Sequence, residues 1–193
     1  MEKLVITGGT PLNGEVSIAG AKNSAIAILP ATLLVDGVCN LKNLPNIVDV
    51  KLSCEILEQL GSKITWNGKN EVTIDNRNIC KTKAPLDLTS RFRASYYLIG
   101  SMLGRCKSIE VGLPGGCNLG ARPIDQHIKG FEALGATANI SQGKISVSVA
   151  DLKGAQIYMD IASVGATINV MLASVLAKRN NYYRKCRKRT SYS

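Results

Sequence analysis

Apolar positions along the chain fall into two kinds of run that alternate. Residues 25–34 are apolar almost all round, the mark of a helix enclosed on every side. Val38–Leu41 reads as a short strand, followed by Leu44 and Pro45. Over Val48–Leu60 the period changes, and Val50, Leu52, Ile56, Leu57 and Leu60 lie on or near one face of an amphipathic helix. Gly61 is placed to end it. Lys63–Trp66 and residues 71–74 are strands on either side of Asn67 and Gly68, a hairpin signal.

The same parts recur in the same order, offset by about 70–75 residues. A helix over 93–103 precedes a strand over 108–111, then Leu113 and Pro114. A helix over 123–134 is closed by Gly135, and strands over 137–140 and 144–149 form a hairpin around Gln142 and Gly143. Glu58-Gln59-Leu60-Gly61 aligns with Glu132-Ala133-Leu134-Gly135. A third copy opens at Ser163-Val164-Gly165-Ala166-Thr167, runs as a helix over 168–177 and breaks off. The unit is β-α-β-α-β-β, an α/β arrangement whose helices and sheets bury their apolar faces only against sister units. Residues 22–178 thus form one domain of two complete units and a truncated third. Residues 1–21 are a separate segment that opens as a strand and turn.

The chain has 193 residues, 45% apolar and 20% charged, a globular composition with length enough for a core. No run approaches the roughly 18–20 uncharged apolar residues of a membrane span. The N-terminus does not read as a secretory signal. The expectation is a cytoplasmic protein with no membrane partner. Cys39, Cys54, Cys80, Cys106, Cys117 and Cys186 contain no Cys-x-x-Cys pair, and one histidine accompanies them. Neither a metal site nor a bound cofactor is expected. Nothing in the sequence specifies an oligomeric state.

The net charge of +10 is uneven. Residues 179–193 hold Arg179, Arg184, Lys185, Arg187, Lys188 and Arg189 and no acid. The remainder is mildly basic, so no nucleic-acid partner is expected of it. The tail reads as a solvated, disordered end. The alternative is a polyanion-binding arm, its charges interleaved by Tyr182, Tyr183 and Tyr192. The tail also interrupts the repeat, placing Arg179-Asn180-Asn181-Tyr182-Tyr183-Arg184 where a strand is due. With permitted AT-rich codons, deleting one adenine after Lys178 restores Lys-Gly-Thr-Thr-Ile-Ile-Glu-Asn, a glycine turn and a β-branched strand. The expectation is a frame slip there. Resequencing that finds no adenine run removes it.

Four constellations carry chemistry. Gly20-Ala21-Lys22-Asn23-Ser24 precedes the first apolar helix, where free N–H groups and a lysine suit an anion. Arg91-Phe92-Arg93-Ala94-Ser95 opens the second apolar helix and mirrors the first in the repeat. Ser163-Val164-Gly165 opens the third, with residues that permit close approach of a phosphate. Each is also what an ordinary N-cap or a surface cation looks like. The fourth is the loop Leu113 to Asp125, in which Gly115, Gly116 and Gly120 surround Cys117. Such a loop suits a lid, and Arg122 favours the thiolate of Cys117. The bland alternative is a surface loop with an incidental thiol. His127 lies inside a helix with no paired serine or second histidine and reads as structural.

Gly20-Ala21-Lys22-Asn23, Pro114-Gly115-Gly116-Cys117 and Gly120-Ala121-Arg122-Pro123-Ile124-Asp125 closely resemble the enolpyruvyl transferases, in the branch acting on UDP-N-acetylglucosamine. The resemblance covers about residues 1–178. The sister branch acting on shikimate 3-phosphate shares the early lysine but lacks the cysteine loop. The resemblance implies an inside-out α/β barrel of three such units, with residues 1–21 pairing with a second domain and the active site between the two. It implies transfer of the enolpyruvyl group of phosphoenolpyruvate to the 3′-hydroxyl of UDP-N-acetylglucosamine with release of phosphate, the first committed step of peptidoglycan precursor synthesis. Cys117 would be the general acid and the target of the epoxide fosfomycin. Lys22, Arg93 and Arg122 would neutralise phosphate and carboxylate charge. Asn23 would position the sugar nucleotide. Arg122, Pro123, Ile124, Asp125 and Gln126 would contact uridine, with Ser163, Val164 and Gly165 at the diphosphate. Ile161 stands where some relatives carry a lysine. The family's proton-accepting carboxylate lies outside the matched portion, so turnover is not expected of this chain alone.

Overall fold

The computed structural model describes residues 3–79, 81–91, 93–113 and 124–186. The first unit comprises α1 (Lys22–Ala31), β1 (Val38–Leu41), α2 (Val48–Leu60), β2 (Lys63–Trp66) and β3 (Val72–Asp75). A 3₁₀ turn over Thr32–Leu34 extends α1. The second comprises α3 (Leu86–Thr89), a 3₁₀ turn over Arg93–Tyr96, α4 (Tyr97–Cys106), β4 (Ser108–Gly112), α5 (Asp125–Ala133), β5 (Thr137–Ser141) and β6 (Lys144–Ser148). The third comprises β7 (Gln156–Tyr158), α6 (Val164–Ser174) and β8 (Tyr182–Arg184).

The repeat is visible in the strand order. In the first sheet β3 is central and antiparallel to both β1 and β2, with Ile74 opposite Cys39 and Ile64. In the second β6 is central and antiparallel to β4 and β5. Each central strand turns alternate residues inward: Val72 and Ile74 in β3, Ile145 and Val147 in β6. β7 and β8 pair in parallel. The second unit has the same feature in miniature, a parallel bridge from Lys83 to Glu110 of β4.

The amphipathic α2 buries Val50, Ile56, Leu57 and Leu60 as its period requires. The apolar helices α1, α4 and α6, one from each unit, lie at the centre, with α4 packed against both others. Close approach of α4 and α6 depends on glycine. A Cβ at Gly100 would overlap the Asn169 carbonyl and lie 2.6 Å from its Oδ1. A polar staple joins the end of α1 to its sheet: the buried Asn76 donates through Nδ2 to the Thr32 carbonyl (2.7 Å) and accepts from the Ser62 hydroxyl (2.7 Å). Burial, with the nearby Glu58 adding to it, pushes the Cys54 thiol up to about 12, as befits a core side chain. No described helix is long and apolar enough to cross a membrane.

Several expectations require correction. α1 begins at Lys22 and α6 at Val164, earlier than the apolar pattern places them. α5 begins at Asp125, and the expected start at Pro123 lies outside the described residues. Residues 3–21 form no helix or strand with the described residues, and their expected pairing is with a second domain outside this chain. Leu4, Ile6, Leu12, Val16 and Ile18 stand exposed. The tail, expected to be disordered, supplies β8 at Tyr182–Arg184. Its main chain pairs with β7, Tyr183 packs on the core and its hydroxyl meets Ser174, and Lys185 donates to the Asp160 carbonyl at 2.7 Å. Residues 187–193 lie outside the described residues.

Candidate functional site

The three apolar helices begin at one place. Asn23 from the start of α1, Arg93 from the turn before α4, and Ser163, Val164 and Gly165 from the start of α6 line one cleft of about 370 Å³. Ile26, Ala94, Tyr96, Tyr97 and His127 complete the lining. Repeat symmetry explains the convergence: equivalent helix starts in successive units point to a common centre.

Each start is built locally. At α1 the Ala21 carbonyl accepts from the Ser24 and Ala25 N–H groups. Gly20 lets this turn press on the next loop, since a Cβ there would overlap the Asn43 carbonyl oxygen. At α6 Ser163 is the N-cap, its hydroxyl accepting from the Ala166 N–H at 3.3 Å. Thr167 returns a side-chain bond to the Ser163 carbonyl at 2.7 Å. Arg93 lies 6.0 Å from the Tyr96 ring centroid, a cation over an aromatic face. The cleft lining contains a cation and a helix N-terminus and, among the described residues, no carboxylate. It favours anions.

Lys22 does not line this cleft. Its Nζ pairs with Asp49 of α2 at 2.6 Å, and its side chain is about half exposed. Ile124 is buried and Asp125 exposed at the start of α5. Gln126 is engaged with Asp160: its Nε2 donates to Oδ2 at 3.3 Å and its Oε1 accepts from the Asp160 N–H at 2.9 Å. Lys129 adds an ion pair to Asp160 at 2.6 Å, and these bonds hold the Asp160 carboxyl below its usual range. Together they tie α5 to the turn that leads into α6. Ile161 is exposed. Cys117, Arg122 and Pro123 lie outside the described residues. No group of described His, Cys, Asp and Glu side chains is arranged to hold a metal ion.

Sequence reasoning missed His127 as a cleft residue. It is 4% exposed, its Nδ1 lies 2.9 Å from Asn169 Nδ2, and its ring meets Tyr96 edge-on at 5.8 Å. Burial, with Arg93 nearby adding to it, brings its pKa down to about 4. The ring is therefore neutral at physiological pH. The position of His127 near the start of α5, the helix of the second unit that follows the cysteine loop, was the signal available.

The family described as EPSP synthase (3-phosphoshikimate 1-carboxyvinyltransferase) matches residues 6–185. UDP-N-acetylglucosamine 1-carboxyvinyltransferase of Clostridium botulinum is 55% identical over 181 residues, covering 93% of this chain and 43% of that protein. UDP-N-acetylglucosamine 1-carboxyvinyltransferase 2 of Bacillus anthracis is 52% identical over 178 residues, covering 92% and 42%. The chain thus spans about two fifths of the length of these relatives. Among solved structures, the enolpyruvyl transferase NikO of Streptomyces tendae aligns with a TM-score of 0.74 at 20% identity, over 88% of this chain and 40% of that one. EPSP synthase of Acinetobacter baumannii aligns at 0.66 and 18%, over 86% and 38%. At these identities the structures establish the fold, the inside-out α/β arrangement of enolpyruvyl transferases.

Proposed function

The chain belongs to the EPSP synthase family of carboxyvinyltransferases, and on that premise we propose that it forms the nucleotide-sugar side of an active site. The reaction is transfer of the enolpyruvyl group of phosphoenolpyruvate to the 3′-hydroxyl of UDP-N-acetylglucosamine, in the cytoplasm, toward peptidoglycan. Carbon 3 of phosphoenolpyruvate is protonated while the hydroxyl attacks carbon 2, and the tetrahedral ketal then expels phosphate. The observation that carries the reading is the convergence of Asn23, Arg93 and Ser163–Gly165 on one cleft whose described lining holds no carboxylate. A cation and a helix N-terminus facing the same space suit a diphosphate.

In this reading Arg93 and the α6 start hold the diphosphate, and Asn23 orients the sugar. Arg122, Pro123, Ile124, Asp125 and Gln126 border the uridine. Lys22 and Arg122 serve phosphoenolpyruvate, and Lys22 leaves Asp49 to do so. Cys117 supplies the proton to carbon 3. His127 is not the base that takes the hydroxyl proton. Its Nδ1 is turned to Asn169, and its low pKa makes it a poor acceptor. That acceptor comes from outside the described residues.

Titration calorimetry tests the reading. The 193-residue chain is expected to bind UDP-N-acetylglucosamine saturably. Arg93→Ala is expected to weaken binding by about 10- to 100-fold, the worth of one charge-assisted hydrogen bond. Saturable binding of shikimate 3-phosphate, with none of the nucleotide sugar, would falsify it.

A further inference from the structure

His127 is held by a network that fixes which of its nitrogens carries the proton. The side chain of Asn169, in α6, is fully buried between α4 and α5. Its Oδ1 accepts from the Gly100 N–H at 2.8 Å. Its Nδ2 lies 2.7 Å from the Tyr96 carbonyl and 2.9 Å from His127 Nδ1. The amide cannot be turned over. A flipped Asn169 would set an NH₂ against the Gly100 N–H and an oxygen against the Tyr96 carbonyl, two like-on-like clashes in a dry interior. With Oδ1 committed to Gly100, Nδ2 has two hydrogens to give. One goes to Tyr96 and the other to His127 Nδ1, which must then be the acceptor.

A neutral imidazole that accepts at Nδ1 carries its proton on Nε2. That edge faces the site. A Cβ built on Gly165 would lie 3.5 Å from Nε2 and 3.6 Å from Cε1, beside the Ser163–Gly165 turn that lines the cleft. We propose that Asn169 is a positioning residue that holds His127 as its Nε2–H tautomer, making the ring an uncharged hydrogen-bond donor to an anionic oxygen of the ligand in the cleft. An uncharged donor has a specific use there. Arg93 already supplies a cation on the same side, and a protonated ring beside it would be repelled. The buried neutral ring adds a directed bond without that cost. The glycine at 165 keeps the approach to Nε2 open.

The ligand half of this inference rests on the nucleotide-sugar reading above, whereas the tautomer half does not. The chain contains one histidine, so ¹⁵N-histidine labelling of the full chain yields one imidazole. Long-range ¹H–¹⁵N correlation spectra at pH 7 are expected to show an unprotonated Nδ1 and a protonated Nε2. Addition of UDP-N-acetylglucosamine is expected to shift Nε2 saturably. A dominant Nδ1–H tautomer, or an even mixture, in the unliganded chain overturns the role of Asn169. In a second, uniformly ¹⁵N-labelled sample, saturable shifts of the Ser163–Gly165 amides with Nε2 unmoved overturn the donor role while leaving the nucleotide-sugar reading intact. No shift anywhere in the cleft overturns that reading and the donor role with it. Asn169→Leu is expected to populate both tautomers. If that variant does not fold, the parent spectrum decides alone. His127→Phe is expected to raise the dissociation constant about tenfold or more. His127→Gln, whose amide nitrogen reaches near the Nε2 position, is expected to keep it within a few-fold.

Discussion

Replacing Gly100 with alanine is expected to destabilise the chain by about 1–5 kcal/mol. Two effects oppose each other. Alanine is the better helix former, worth about 1 kcal/mol over glycine inside α4. Against this, the new methyl would overlap the Asn169 backbone carbonyl and crowd its Oδ1. The clashing atoms are main chain and a side chain fixed by three partners, so neither yields cheaply. Forcing α4 and α6 apart costs roughly 1–3 kcal/mol in strain and lost packing. Losing the Gly100 N–H bond to Asn169 strands buried polar groups at a further cost of about 1–3 kcal/mol. The overlap therefore wins. Urea unfolding followed by circular dichroism measures it, with Gly37→Ala as the control. A Cβ at Gly37 meets nothing closer than 3.7 Å, and that change is expected to be near neutral. A Gly100→Ala midpoint equal to the parent's would show that α4 and α6 do not meet this closely.

The same contact shows why part of the molecule was legible in the sequence and part was not. Within a unit, local period and punctuation suffice. Val48–Leu60 and Lys63–Trp66 lie where the apolar spacing, Gly61 and Asn67-Gly68 put them. The internal repeat then carries the sheet order from one unit to the next. Helix starts were less legible, since they depend on capping rather than on apolar spacing. α6 begins at Val164 because Ser163 caps it, although Val164 and Gly165 are poor helix formers. The charges of the tail pointed to solvent, yet β7 offers an open edge beside a core contact for Tyr183, and pairing outweighs charge at Tyr182–Arg184. The cleft itself followed from the repeat, because three equivalent helix starts converge. His127 did not. Its role is set by Asn169, 42 residues away on another helix, and no local pattern encodes a partner at that distance.

The buried neutral His127 makes the chain acid-labile in a defined window. Its pKa is about 4 in the folded chain, against 6.5 for an ordinary histidine. Above pH 6.5 the ring is neutral folded or unfolded, and stability is at its full value. As pH falls from 6.5 to 4, the unfolded chain takes up a proton that the folded chain refuses. Unfolding is favoured by about 3 kcal/mol once pH 4 is reached, and by about 2 kcal/mol already at pH 5. The carboxylates with lowered values act in a different range. Asp75, held near 2 by Arg77, and Asp160, lowered by Lys129 and Gln126, lose their contributions only below the ordinary value of 3.8. With a single histidine in the chain, the slope between pH 4 and 6.5 is assignable to one residue. Urea midpoints across that range are expected to fall with pH in the parent and to stay flat in His127→Gln. An equal slope in both would place the acid sensitivity elsewhere and leave His127 accessible to protons in the folded state. That outcome would also remove the reason for a neutral donor in the cleft, since a ring that protonates freely would face Arg93 as a second cation.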